Sequence, residues 1–177
     1  PRWPDRMIEG NDGGACVTFD GGRSWSSVLN QPTAQFYHVS TTNHFPYRIC
    51  GAQQDNSTLC GPSRKEGVIA YADWQDAGGG ESGYVEARKD QPDIVYAGSY
   101  GALLTRKDMR TGLERNVNPW PDNPMGHSAG DVRYRFQWTF PIVTSRHVPS
   151  VVYAASQRVH ISRDGGETFS KLGEGPV

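Results

Sequence analysis

The chain has 177 residues, a formal net charge of −1 and 36% hydrophobic residues. That balance excludes a general polyanion-binding field, so nucleic acid is not an expected partner. No apolar run approaches the roughly 20 residues of a membrane span, and no secretory leader pattern opens the chain. With 21 Gly and 12 Pro the sequence is punctuated too often for a helical bundle. It reads instead as an all-β protein of many short strands, one domain over residues 1–177.

In chain order, the first signal is a proline-led run, Pro4-Asp5-Arg6-Met7-Ile8-Glu9-Gly10. Similar runs follow at Pro46-Tyr47-Arg48-Ile49-Cys50-Gly51-Ala52, Pro92-Asp93-Ile94-Val95-Tyr96-Ala97-Gly98 and Pro149-Ser150-Val151-Val152-Tyr153-Ala154-Ala155. Each is a proline, a turn residue, a short run of strand formers and then small residues. Starts near 4, 46, 92 and 149 give a period of about 40–60 residues, the length of a four-stranded propeller blade.

A turn pattern follows two of these runs: hydroxyl, x, Asp, x, Gly, x, hydroxyl, aromatic. One copy is Thr18, Asp20, Gly22, Ser24 and Trp25; the other is Ser162, Asp164, Gly166, Thr168 and Phe169. Asp-x-Gly makes a tight bend, because the carboxylate accepts nearby backbone N–H bonds and glycine tolerates positive φ. The aromatic then starts the next strand and packs between sheets. These residues are therefore expected to be architectural. Asp108 holds the same register in a degraded copy, and Pro62 falls where the turn of the second unit belongs.

Each unit reads as strands A to D from inside outwards. Residues 35–40, the neighbourhood of Val85, and residues 135–144 are the expected A strands. The proline-led runs are B, the segments before the turns C, and those after them D. A short helix is expected within residues 64–74, and Gly- and Pro-rich loops at 76–83 and 116–130. The expected fold is about four four-stranded antiparallel blades of a partial β-propeller. The first residues read as the middle of something longer. Cys16, Cys50 and Cys60 make an odd count, which argues against a fully paired framework. Cys50 and Cys60 bridge neighbouring strands in an oxidising compartment, or all three are buried thiols.

The turn pattern resembles the Asp-box of BNR-repeat proteins, a set that includes sialidases, sortilin-type receptors and xyloglucanase-like glycosidases. The strand Pro92-Asp93-Ile94-Val95-Tyr96-Ala97-Gly98-Ser99 is similar to the one preceding the box in the sortilin-like and xyloglucanase-like members. Gly51-Ala52-Gln53-Gln54-Asp55-Asn56-Ser57, Gly78-Gly79-Gly80-Glu81-Ser82-Gly83 and Tyr134-Arg135-Phe136-Gln137-Trp138 resemble phrases of large bacterial sortilin-like or glycosyl-hydrolase-like proteins. The resemblance implies a structural Asp-box, an exported protein and further blades in the parent chain as partners of this piece.

Blade topology puts the Asp turns on one face and the B–C and D–A loops on the other. The loop face is where binding sites gather on such a scaffold. It carries Asp12, Asp55, Glu81 and Asp131, with Gln53, Gln54, Asn56, Tyr100, His127, Arg133 and Arg135 as candidate ligand contacts. Asp55, Asp131 and Glu81 are the candidate catalytic carboxylates of an inverting glycosidase, whose pair stands about 6.5–9.5 Å apart. The bland alternative is that Asp55 and Asp131 cap loops and Arg135 pairs with a carboxylate. Of the tryptophans, Trp25 and Trp138 are expected in the core, and Trp120 is the best candidate for an exposed aromatic, with packing under its loop the alternative. His38, His44, His127, His147 and His160 lack paired metal spacing, so neither metal nor cofactor is expected. The function expected first is binding of a peptide, protein or glycan on the loop face; glycoside hydrolysis and a purely structural role are the alternatives.

Overall fold

The computed structural model describes residues 2–11, 14–28 and 34–173. The chain divides into two compact units, Pro1–Ala34 and Gln35–Val177.

In the first unit β1 (Met7–Asn11) pairs antiparallel with β2 (Gly14–Thr18), Met7 opposite Thr18. The Asp turn follows. Thr18 Oγ1 donates to Asp20 Oδ1 at 2.8 Å, and the Ser24 N–H and hydroxyl donate to the two Asp20 oxygens at 2.9 and 2.6 Å. Gly22 N–H returns to Thr18 Oγ1 at 3.0 Å. Gly22 lies at φ +89°, a backbone conformation that favours glycine. Trp25 departs from expectation. It is 44% exposed.

The second unit holds three four-stranded antiparallel sheets, each a meander with neighbours in chain order. The first comprises β3 (Phe36–Thr41), β4 (Arg48–Gln53), β5 (Thr58–Pro62) and β6 (Gln75–Asp76). The second comprises β7 (Val85–Ala87), β8 (Ile94–Gly98), β9 (Leu104–Asp108) and β10 (Glu114–Asn116). The third comprises β11 (Ile142–Thr144), β12 (Val152–Ala155), β13 (Val159–Ser162) and β14 (Ser170–Lys171). This is an all-β fold of propeller-type blades.

Every residue of β8 is buried. Strand alternation sends Ile94 and Tyr96 to one side, into a cluster with Leu104, Phe140, Ile142 and Val152. Val95 and Ala97 go to the other, against Cys50, Cys60, Val85 and Ala87. The middle sheet is thus covered on both faces, which is why its proline-led run is the most continuously apolar of the four. Tyr96 Oη donates to Gly165 O at 2.9 Å and so ties this sheet to the Asp turn of the third.

That turn repeats the first. Ser162 Oγ donates to Asp164 Oδ1 at 2.8 Å, and Thr168 donates its N–H and hydroxyl at 3.0 and 2.6 Å. Phe169 packs on the cluster around Tyr96, the role Trp25 lacks. At Asp108 the partner is different: its carboxylate accepts the Arg110 N–H and guanidinium. The fourth residue on is Gly112, without a hydroxyl, and arginine takes its place.

Two expectations are corrected. Residues 135–144 form strand only at Ile142–Thr144. Pro141 interrupts the ladder, and the Arg135 N–H is taken by the Gln157 side chain at 2.7 Å. The expected helix within 64–74 is a single 3₁₀ turn, Tyr71–Asp73. The outermost strands shrink to two residues in β6 and β14. Cys50 and Cys60, directly opposite in the β4–β5 register, form a disulfide, while Cys16 is free.

Two predictions follow from these constraints. Hydrogen bonds from Thr168, then from Ser162, hold Asp164 down to about 2, and Ser24 and Thr18 do the same for Asp20. A depressed folded pKa contributes stability that is complete above the ordinary carboxylate range, near 3.8, and is lost as pH falls toward 2. Asp164→Asn therefore lowers Tm at neutral pH, and the gap to the parent protein narrows as pH drops through that window in thermal melts. A Cys50→Ala/Cys60→Ala pair costs about 2–3 kcal/mol in denaturant unfolding, since the bridge closes a short loop. Reductant has no effect on that variant.

Candidate functional site

The β4–β5 turn brings the first candidates to the surface. Asn56 N–H bonds Gln53 O at 3.1 Å, and the Gln53 side chain closes onto Ser57 O at the same distance. Asn56 caps its neighbour Ser57. Asp55 takes the left-handed conformation at φ 55°, which short polar side chains tolerate. Gln53 and Asn56 thus serve the turn itself, while Gln54 and Asp55 project beyond it.

The loop from Ala77 to Tyr84 supplies Glu81. Its course is set by Gly78 and Gly79, both at positive φ, and by Gly79 N–H on Thr105 Oγ1 at 2.7 Å. Thr58 Oγ1 donates to Gly80 O, and Ser82 Oγ donates to Trp138 O at 3.2 Å. Gly83 sits so tightly on Gly98 that a Cβ would lie 1.9 Å from its carbonyl oxygen. Glu81 is therefore delivered by a loop locked to all three sheets' connections.

One directed hydrogen-bond chain then assembles the site. Trp138 Nε1–H donates to Tyr37 Oη at 3.0 Å, and Tyr37 O–H donates to Gln54 Oε1. The Gln54 amide donates to Asp55 Oδ1 at 2.7 Å and to Glu81 Oε2 at 2.9 Å, and Asp55 N–H joins the same Glu81 oxygen at 2.9 Å. Every donor points toward the two carboxylates, and each group uses the role its chemistry permits. The two N–H bonds of a planar amide diverge by about 120°, which sets the two accepting oxygens about 5 Å apart. Neither carboxylate has an ion-pair partner among the described residues.

Tyr100, on a 3₁₀ turn after β8 (Tyr100–Ala102), stacks on Trp138 with ring centroids 4.8 Å apart and planes 20° from parallel. Trp138 is 44% exposed, against the expectation of a core position. Its segment is not a strand, so alternation does not bury it, and its indole N–H is already satisfied by Tyr37. The result is an aromatic platform beside two carboxylates and an amide.

The remaining candidates lie apart from this chain. Asp131 accepts its own turn's Ser128 hydroxyl at 2.7 Å and returns its N–H to Ser128 O, as a loop cap does. His127 is exposed, its N–H on Pro124 O. Arg133 lies over Trp120 at 4.9 Å and Tyr134 at 5.5 Å. Among the described residues Arg135 has no carboxylate partner; it lines a shallow depression with Arg133, Arg158 and Lys171. Trp120 is only half-exposed, edge-on to Tyr134 and bonded to Asp122. Asp12 lies outside the described residues, as do 31–33 of the expected D–A loop. Among the described residues no His, Cys, Asp and Glu cluster is arranged to hold a metal ion. Among the described residues no helix is long and apolar enough to cross a membrane.

Tyr37 and Trp138 are the members that the sequence reading missed. The available signal was a pair of polar-tipped aromatics: Tyr37 in an exposed strand, and Trp138 three residues before a proline.

No family model matches the chain, and no curated protein matches it. Among solved structures it is similar to a GH74 xyloglucanase from Xanthomonas campestris, at 17% identity and a TM-score of 0.48 over 94% of this chain and 28% of that one. It is also similar to a GH74 enzyme from Niastella koreensis, at 12% identity and a TM-score of 0.50 over 94% of this chain and 27% of that one. The chain spans little more than a quarter of the length of these proteins. The second likeness is one of fold: an all-β chain of the same β-propeller type, shared with a glycoside hydrolase.

Proposed function

We propose that this chain is part of an exported propeller that binds a glycan on its loop face, at the platform of Tyr100 and Trp138 beside Gln54, Asp55 and Glu81. The observation that carries the reading is the directed chain from Trp138 through Tyr37 and Gln54 to the two carboxylates. It holds an exposed indole face rigid next to acceptors with lone pairs to spare, the pairing of stacking surface and hydrogen-bonding groups that a sugar ring requires. The Asp turns support the resemblance to BNR-repeat and sortilin-like proteins. The cross-strand disulfide supports an oxidising, exported location. Further blades of the parent protein complete the propeller in this reading.

A glycoside hydrolase is the second reading, favoured by two carboxylates on one face. Their spacing weighs against the inverting mechanism. About 5 Å between oxygens, with the Gln54 amide between them, is narrower than the ~6.5–9.5 Å that admits a water. Asp131, the third carboxylate, is engaged with Ser128 instead.

Titration of the full-length protein with neutral oligosaccharides by calorimetry tests the reading. Trp138→Ala is expected to weaken binding about tenfold, the scale of one lost aromatic contact, with the thermal melt checking that the fold persists. Unchanged affinity would sink the platform. In parallel, Asp55→Asn and Glu81→Gln are expected to weaken binding without abolishing any turnover. A loss of turnover of about a hundredfold or more in both would replace binding with hydrolysis.

A further inference from the structure

A second polar feature lies outside that platform. Arg133, Tyr134, Arg135, Gln157, Arg158 and Lys171 line a shallow depression of about 290 Å³. Four of the six are cations. Arg133, Arg135 and Lys171 take no part in any ion pair among the described residues, although carboxylates neutralise arginines and lysines elsewhere in the chain.

The depression is held by specific contacts. The Gln157 side chain donates to Arg133 O at 3.0 Å and accepts the Arg135 N–H at 2.7 Å, acting as a substitute strand neighbour for this segment. Between them Tyr134 turns inward and meets His160 edge-on at 4.7 Å, leaving the two arginines exposed on either side. The Arg133 guanidinium rests on Trp120 and Tyr134, which orders its plane and leaves its N–H edge available. Lys171 and Arg158 come from β14 and the β12–β13 turn. Concentrated positive charge with one guanidinium, that of Arg133, held against aromatic rings suits a planar or tetrahedral oxyanion. A net charge of −1 over the chain makes this a local site and not a polyanion track.

We infer that this depression is a subsite for an oxyanion substituent of a saccharide, a uronate carboxylate or a sulfate ester. The saccharide half of the statement rests on the glycan reading above; the oxyanion half rests on the arginines. Arg135 and Trp138 are three residues apart, so at most roughly 11 Å separates their Cα atoms, within the span of a short oligosaccharide.

The test pairs charged and neutral probes on the full-length protein: oligogalacturonate against its methyl ester, and a sulfated galactan oligosaccharide against its desulfated form. At least one charged probe is expected to bind about tenfold more tightly than its neutral partner, with an advantage that shrinks as salt rises. The pair showing the advantage identifies the oxyanion. The advantage disappears in Arg133→Ala/Arg135→Ala and is partly retained in Arg133→Lys. Equal binding of charged and neutral forms in both pairs, or an advantage that survives the double variant, overturns the subsite. Failure of the glycan reading shows separately, as neutral-probe affinity unmoved by Trp138→Ala. Should the double variant unfold, Lys171→Gln provides the same comparison.

Discussion

Each of the four strand pairs that follow a proline is closed by the same main-chain bond. A turn residue donates its N–H to the carbonyl of the residue after the proline: Gly21 to Asp5 at 2.9 Å, Ser63 to Tyr47 at 3.0 Å, Met109 to Asp93 at 2.8 Å and Gly165 to Ser150 at 2.9 Å. The bond sets where the second strand leaves the sheet, and with it the register of everything before it. Only two of the four turns use the full Asp-x-Gly lock. At Asp108 an arginine replaces the missing hydroxyl, and at Pro62 no carboxylate is present. The geometry common to all four is therefore the backbone closure. The aspartates at positions 20 and 164 are one way of stabilising it.

This explains which parts of the fold were legible in the sequence. Strands before the turns announce themselves because proline, β-formers and small residues are local signals, and the buried middle sheet demands an unbroken apolar run at Ile94–Gly98. Strands after the turns have no such demand. β6 and β14 are two residues long and exposed, and they are held by pairing rather than by burial. The innermost strand of the third sheet was misread for a related reason. Tyr134 to Trp138 has the composition of a strand, but its main-chain partners come from the Gln157 side chain, twenty-odd residues on, which no local pattern reveals.

The site shows the same division. Asp55 and Glu81 were legible as polar residues in glycine-rich loops. Their connection through Gln54 was not, because it depends on Tyr37 from the neighbouring strand β3 and on Trp138 from the segment before the third sheet. An amide is well suited to that position. Its oxygen accepts from Tyr37 while its nitrogen donates to both carboxylates, so a single side chain turns the polarity of an indole and a phenol toward two acids. A carboxylate there would be repelled by both neighbours, and an aliphatic residue would remove the acceptor of the Tyr37 hydroxyl and the donor shared by the two acids.

The irregular segment around residues 133–138 links the two surfaces argued above. Arg133 and Arg135 are exposed with Tyr134 turned inward between them, as strand alternation would have it, whereas Trp138, on the same parity as Tyr134, is exposed. Leaving the ladder releases that indole onto the platform. The cost of unpaired main-chain groups is offset by Gln157 at one end and by Ser82 on the Trp138 carbonyl at the other. On a blade scaffold the strands hold the register, and in the proposed reading a stretch that leaves it places the aromatic and cationic groups that meet a ligand.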